Sequence, residues 1–593
     1  MKTSLTRLSL KARHTIALQE PIMGELYLGQ RCAPFLPTDV QELTEGIWVR
    51  PGPSWGHQVM DRGPWHALII GEPCALQADW GALLACPDDA LSGAIAAVEG
   101  VHSGVAWRPG SPRRWFWRDR FGRIPWQLLS GHALLATTDP ELVVRAAGSA
   151  GINPERLTDF LAGGRSTSRA DFIRGVERLR PGELALADEE RLHWVRRWWS
   201  PTLPTRHQLA PYHERLAQIG ARLRLGTSGL TSPGAWLALS GGLDSATLLA
   251  SSPDPRRCCA FTVTLRDAPA ELATADTLTR ALGTHWEHCG VDARWPLRSP
   301  AEHERLAGWG PHAHPDLAWF PAALNQLQAH CADQTPSVLY TGHGADDALW
   351  MPPGLWLIHQ WDRGAWRELL AAGRALGART TLAPARGALI ERLGLRPWRE
   401  RLRALPAPGP AWLPGAAGPA RAALLSPMHR FALYRAARLN SWAWELIMRS
   451  LARIARRARL QVRTPYLDAR IWDLALTLTP EELIEGGRQK APLRRLTQGV
   501  LPEAVRTRKK LGSFDALVER GLAERETRRA LRLFAGAQLA ELRVIDGPCF
   551  QHALADYLSQ PSRLWRGSWE IWRAVAAELW LHSRQRSSPP GAP

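Results

Sequence analysis

The chain has 593 residues, 45% of them apolar and 22% charged, with a net charge of +18, which is material for roughly two to four soluble domains that favour an anionic partner. It contains no run of about 18 uncharged apolar residues, Met1-Lys2-Thr3-Ser4-Leu5 has no apolar signal core, and the eight cysteines show no CxxC or Cys/His metal spacing. A membrane span, a secretory route and a zinc site are thereby excluded, a reduced cytoplasm is expected, and the absence of any RNA-binding or helix-turn-helix pattern argues against nucleic acid as a partner.

Residues 1 to about 100 alternate short apolar runs with Gly and Pro breaks, as in Trp65-His66-Ala67-Leu68-Ile69-Ile70 and Gly81-Ala82-Leu83-Leu84-Ala85. They predict strands and loops. Gly104 to Trp117 predicts a hairpin. After it stand Arg118-Asp119-Arg120-Phe121-Gly122-Arg123-Ile124-Pro125, a strand at Ala133 to Thr138, then Gly175 to Gly182 and a Trp199-Ser200-Pro201 exit. Arg-Asp-x-x-Gly-x-x-Pro, Gly-x-x-x-Leu-x-Pro-Gly and Trp-x-Pro in this order resemble the N-terminal domain of the asparagine synthetase family. The resemblance implies a two-sheet N-terminal-nucleophile fold, which in the family hydrolyses glutamine through a cysteine at position 2. Here position 2 is Lys2 and the nearest cysteine is Cys32. A free N-terminal cysteine is both nucleophile and base in that chemistry, so the domain is expected to be a degenerate, glutaminase-like scaffold.

Residues 202 to 234 predict a linker and a first helix, His213 to Leu225. Trp236 to Leu239 has the length of a buried strand and stops at Ser240-Gly241-Gly242; a helical run, Ala246 to Ala250, follows. Strand, Gly turn and helix start together make an anion site: glycines let the backbone approach, and the N–H groups of the first turn point at the oxyanion. Ser240 and Ser245 add hydroxyls. Asp244 would repel phosphate unless it holds a divalent cation bridging phosphate oxygens. Ser-Gly-Gly-Leu-Asp-Ser after an apolar strand resembles the pyrophosphate loop of ATP pyrophosphatases. Cys259 to Thr264 predicts the next strand and Glu271 to Leu282 the next helix, a βαβ pattern for a doubly wound parallel sheet. Val263, near that strand's end, packs either on adenine or in the core; the sequence leaves both open.

Ser337 to Tyr340 is another short strand, running into Thr341-Gly342-His343-Gly344-Ala345-Asp346-Asp347. The logic of the first loop repeats, with Asp346 as a second magnesium ligand facing Asp244. The asparagine synthetase family has Ser-Gly-Glu-Gly-x-Asp-Glu here, whereas Gly-His-Gly-x-Asp resembles the cyclases that close lasso peptides. Residues 350 to 430 fit the family pattern worst; helices are expected at Trp366–Leu376 and Ala385–Leu395, in a substrate-specific insertion. Trp442 to Arg459 predicts a helix. Arg463-Thr464-Pro465-Tyr466-Leu467-Asp468 resembles the family's Arg-x-Pro-Phe-Leu-Asp. Lys490-Ala491-Pro492-Leu493-Arg494 and Leu501-Pro502-x-x-Val505-x-x-Arg508-x-Lys510 resemble its two basic motifs. Cations are wanted because adenylylation develops charge on the α-phosphate and on departing pyrophosphate. Lys510, Lys490 and Arg508 are the candidates, with the register between Lys509 and Lys510 open. Leu564 to Leu581 predicts a Trp-rich packing helix and Ser587 to Pro593 a disordered tail.

The expectation is an α/β chain of two domains. Residues 1–205 form the degenerate glutaminase-like N-terminal-nucleophile domain, and 206–593 an ATP pyrophosphatase-type synthetase domain with a doubly wound parallel sheet. Leu239, Ser240, Gly241, Gly242, Asp244, Ser245, Val263, Thr341, Gly342 and His343 are expected to bind ATP, and Asp244 with Asp346 to hold Mg2+. The resemblance implies adenylylation of an Asp or Glu side chain in a precursor peptide. The peptide's N-terminal amine then closes a macrolactam. Implied partners are that peptide, a maturation peptidase and a leader-binding protein. The alternative is an amide-forming ligase on a small acid, asparagine synthetase-like or β-lactam synthetase-like. Intact Asp244 and Asp346 argue against a non-enzymatic, anion-binding relic.

Overall fold

The computed structural model describes residues 25–28, 41–44, 47–50, 56–62, 65–72, 80, 90–129, 135–148, 150–164, 166–188, 191–201, 210–264, 269–291, 310–311, 319–330, 336–351, 356, 359–360, 363–367, 410–414, 434–486, 488–508, 521–559 and 568–587. The predictions at Lys2, Cys32, Gly81–Ala85, Ala385–Leu395, Lys509 and Lys510 lie outside these residues.

Twelve strands among the described residues precede residue 200. They are β1 (Glu25–Leu28), β2 (Gln41–Thr44), β3 (Ile47–Arg50), β4 (Gly56–Arg62), β5 (Trp65–Gly71), β6 (His102–Trp107), β7 (Arg114–Trp117), β8 (Gln127–Leu129), β9 (Leu135–Thr137), β10 (Val176–Arg178), β11 (Glu183–Ala187) and β12 (Leu192–Arg197). They form two six-stranded antiparallel sheets, in the orders β10-β8-β9-β1-β3-β2 and β12-β11-β7-β6-β5-β4. Side chains alternate along β5. Leu68 and Ile70 join Val105, Phe116, Trp126, Leu128 and Ala136 in a core shared by the two sheets. Trp65, Ala67 and Ile69 face the opposite way, onto Trp115, Trp117 and the helix Leu91–Ala97, as a period of two requires. That helix is a correction to the reading of residues 1 to 100 as strands and loops alone.

The second region is built on a five-stranded parallel sheet of β13 (Ala235–Ala238), β14 (Cys259–Thr264), β15 (His285–Gly290), β16 (Val338–Tyr340) and β17 (Gln461–Arg463), in the order β15-β14-β13-β16-β17. The central strand is buried on both faces, with Trp236 and Leu237 fully enclosed, as a parallel sheet covered by helices demands. The strand order reverses at β13, so the sheet opens a crevice between the carboxyl ends of β13 and β16.

The helix after β13 runs from Leu243 to Ala250, three residues earlier than its apolar run indicated. Gly242 caps it in extended conformation, and Leu243, Asp244 and Ser245 form its first turn. The Trp442–Ala458 helix ends at Arg459 in the left-handed region (φ 52°). The C-terminal helix Ser568–Ser587 buries Trp572 and Trp580 in a core that also takes Leu157, Phe160 and Phe172 from the N-terminal region.

The two regions are joined by buried charge. Glu445, on the Trp442–Ala458 helix, receives Arg118 at 2.8 Å, Arg178 at 3.2 Å and Arg449 at 3.0 Å, and Arg449 reaches back to Asp171 at 2.6 Å. Asp119 accepts from the main-chain N–H groups of Phe121, Arg123 and Ile124, which folds the Arg-Asp-x-x-Gly loop. Arg123 then donates to the carbonyl of Val462 in β17. The Arg-Asp-x-x-Gly motif therefore serves as the joint between the antiparallel sheets and an edge strand of the parallel sheet.

Candidate functional site

The crevice is lined by the two loops that follow β13 and β16. In the first, Gly241 has φ +66°, and a Cβ there would meet the Glu271 carbonyl at 2.7 Å, so only glycine turns the chain this tightly. Leu239 is buried and its N–H donates to Phe261 at 2.8 Å. Ser245 Oγ accepts from the Ser240 N–H at 3.2 Å and lies 3.3 Å from Ser240 Oγ; the Gly242 N–H donates to Ser240 Oγ at 3.4 Å. The two hydroxyls therefore shape the loop itself. The helix start at Gly242 has no side-chain cap, which leaves first-turn N–H groups to an anion.

In the second loop, the Thr341 N–H donates to Arg463 of β17 at 3.0 Å and His343 Nδ1 lies 3.0 Å from Thr341 Oγ1. Gly342 passes directly over the first loop: a Cβ on it would stand 3.1 Å from the Asp244 Cβ. Gly344 has φ +93° and starts the short helix Ala345–Leu349, which carries Asp346.

The carboxylates of Asp244 and Asp346 converge on one atom, the Lys490 ammonium. Nζ lies 2.7 and 2.6 Å from the two oxygens of Asp244 and 2.7 Å from Asp346 Oδ1. Burial alone would lower the Lys490 pKa, but the two carboxylates outweigh it and hold the value above the lysine norm. A hairpin of Ile484–Glu485 with Arg488–Gln489 delivers the lysine. Gln489 brackets the main chain of Met351 on both sides. Lys490 itself is left-handed, φ 60° and ψ 38°, at the start of the Ala491–Leu496 helix. A lysine in this region carries backbone strain that the surroundings must hold.

Two groups support the arrangement that the sequence did not single out. The Tyr466 hydroxyl, fully buried, donates to the Asp244 carbonyl at 2.9 Å. Burial, with the Asp244 charge adding, raises its pKa well above the tyrosine norm and keeps the donor protonated. Arg494 donates to the carbonyls of Arg506 and Arg508, the latter at 3.1 Å, and so pins the segment that leads to Lys509 and Lys510. The bracket Pro465-Tyr-Leu-Asp468 was the signal for the first; the second closes the Lys490–Arg494 motif, which marked it as basic and gave no sign of its hold on residues 506 and 508.

Arg508 lies against Thr274. One guanidinium nitrogen donates to Thr274 Oγ1, while Nη2 is buried with no hydrogen-bond partner among the described residues. Thr274 is also the side chain against Gly241, so Arg508 stands behind the first loop. Val263 is half-buried near the end of β14.

Among the described residues no group of three or more His, Cys, Asp or Glu side chains gathers as a metal site. Magnesium beside a nucleotide needs less: one or two carboxylates, with phosphate and water oxygens completing an octahedron. Asp244 and Asp346, whose oxygens already converge on one positive charge, fit that donor set.

The asparagine synthase family model matches residues 236–582, from β13 into the C-terminal helix, more than half of the chain. No curated protein matches the chain.

Proposed function

The chain belongs to the asparagine synthase family, whose members are ATP-dependent, AMP-forming carbon–nitrogen ligases that typically use Mg2+; from that premise we propose that it is a cyclase that closes a macrolactam in a precursor peptide, as in lasso peptide maturation. The observation that carries the ligase chemistry is the convergence of Asp244, Asp346 and Lys490 at the switch point of the parallel sheet. The peptide assignment leans on His343 between Gly342 and Gly344, and on residues 350 to 430, where the sequence fits the family pattern worst.

In this reading the first loop and its helix start hold the ATP phosphates. Val263 flanks the adenine. Asp244 and Asp346 hold magnesium, which when bound would neutralise phosphate oxygens. A carboxylate of the peptide attacks the α-phosphorus and pyrophosphate leaves. The N-terminal amine then attacks the acyl carbon, AMP leaves, and the amine nitrogen gives up a proton. Lys490, Lys510 and Arg508 balance the charge that develops on phosphate. The rest of the work is holding amine and acyl carbon in attack geometry. The two stacked antiparallel sheets are read as a degenerate N-terminal-nucleophile domain kept as a scaffold. A maturation peptidase and a leader-binding protein would supply the trimmed peptide.

The test incubates the full chain with ATP, Mg2+ and a peptide with a free N-terminus and an internal Asp or Glu. Mass spectrometry should show loss of one water per peptide, with one AMP formed per ring. AMP formation with a small acid and an amine, and never with peptide, would assign the chain to small-acid amidation instead.

A further inference from the structure

We infer that Lys490 is the resident counter-cation of the carboxylate pair: its ammonium holds Asp244 and Asp346 together before a metal arrives, and yields that position when the metal is loaded. The inference rests on Asp244 and Asp346 as metal ligands, and not on the identity of the acid that is activated.

The carboxylates stand at helix starts that follow two different strands, so close that Gly342 admits no Cβ without crowding Asp244. Two carboxylates this close repel each other unless a positive charge stands between them. The Lys490 ammonium stands there, with three oxygens within 2.7 Å. That is the position of a bridging cation and not of a side chain reaching out to phosphate. The backbone is bent to place it: Lys490 occupies the left-handed region at a helix start, between a hairpin anchored on Met351 and the proline-containing first turn Ala491–Pro492.

Exposure is graded across the three groups. The Lys490 side chain is 12% exposed, Asp244 22% and Asp346 48%. A cation therefore enters from the side of Asp346, and the flexible lysine stem lets the ammonium withdraw while its backbone stays fixed. A withdrawn ammonium remains beside the first loop, where phosphate oxygens are its next partners. Lys490 would thus become available to the nucleotide only once the carboxylates have a metal.

The experiment uses the full chain without nucleotide and Mn2+ as the probe. Lys490→Met removes the competing charge and keeps the volume. Mn2+ affinity, read by electron paramagnetic resonance, should rise about tenfold or more, since a charge a few ångströms away is gone. Lys490→Arg should not show this gain. Unchanged or weaker Mn2+ binding in a folded Lys490→Met variant overturns the inference. Should Lys490→Met not fold, the wild-type chain carries the test. Acylation of Lys490 by a water-soluble anhydride, followed by peptide mass spectrometry, should rise several-fold on adding Mn2+. An unchanged or lower labelling rate also overturns it. Asp346→Asn separates the two levels: if it leaves wild-type Mn2+ binding intact, the assignment of the metal ligands themselves is what fails.

Discussion

The phenol of Tyr466 donates a 2.9 Å hydrogen bond to the main-chain carbonyl of Asp244, tying the turn after β17 to the first helical turn after β13. The metal-ligand candidate is thus positioned from two strands away. Tyr466→Phe keeps the ring and removes only the donor. One such bond contributes about 0.5–1.5 kcal/mol, so the urea midpoint should fall with unchanged slope, by a shift that times the slope equals that loss. An unaltered midpoint would mean the bond does not hold the turn in place.

Asp244→Asn and Asp346→Asn remove charge from the pair with almost no change in volume. Both variants should fold and both should lose AMP formation by at least about a hundredfold, the scale seen when one charge-stabilising contact to a transition state is deleted. Pyrophosphate release with substrate present is the measurement. Near-normal turnover in either variant would remove that carboxylate from the site.

Glu445 gives the buried joint a pH signature. Burial would raise its pKa, but Arg118, Arg449 and Arg178 together pull it down from the ordinary 4.5 to about 2. A group with a lowered folded-state value stabilises fully above pH 4.5 and loses that contribution as pH falls toward 2. Glu445→Gln leaves three arginines around an uncharged amide, and breaking a buried pair of this kind costs about 3–5 kcal/mol. Thermal unfolding from pH 7 down to pH 2 should show the variant less stable near neutrality. Its curve should also be flatter than the wild-type curve between pH 4.5 and 2. Parallel curves would place the acid sensitivity elsewhere.

Much of the site was legible because it is local. β13 and β16 are short apolar runs that stop at glycines, and each is followed by an aspartate at a helix start; two such carboxylates beside an expected phosphate site point to a cation. The positions of Asp244 and Asp346 just after neighbouring strands follow from that pattern. What was not legible depends on distance or on backbone conformation. Glu445 and Arg118 are 327 residues apart, and no periodicity in either segment announces the other. The early helix start at Leu243 was hidden because Gly242, Asp244 and Ser245 are poor helix formers that serve well in a cap and first turn. Nothing in Gln489-Lys490-Ala491 signals a left-handed lysine, since that conformation is imposed by the hairpin before it and the helix after it.

The basic segment offers the last test. Arg494 holds the carbonyls of Arg506 and Arg508, and Arg508 in turn bonds to Thr274 beside the first loop. The chain therefore enters Lys509 and Lys510 from a fixed point next to the proposed phosphate site. If Lys510 stabilises transition-state charge, Lys510→Ala should depress product formation by roughly a hundred- to a thousandfold while nucleotide affinity changes little. Lys509→Ala should cost much less. Arg494→Met removes no charge from the reacting atoms and should act only by loosening the segment. Its rate should fall less than that of Lys510→Ala, and adding Arg494→Met to Lys510→Ala should add little further loss, since both act through one contact. If Lys509→Ala is the inactive variant and Lys510→Ala turns over normally, the register moves back by one residue. If neither matters, this segment is a solvated face and Lys490 with Arg508 must supply the charge.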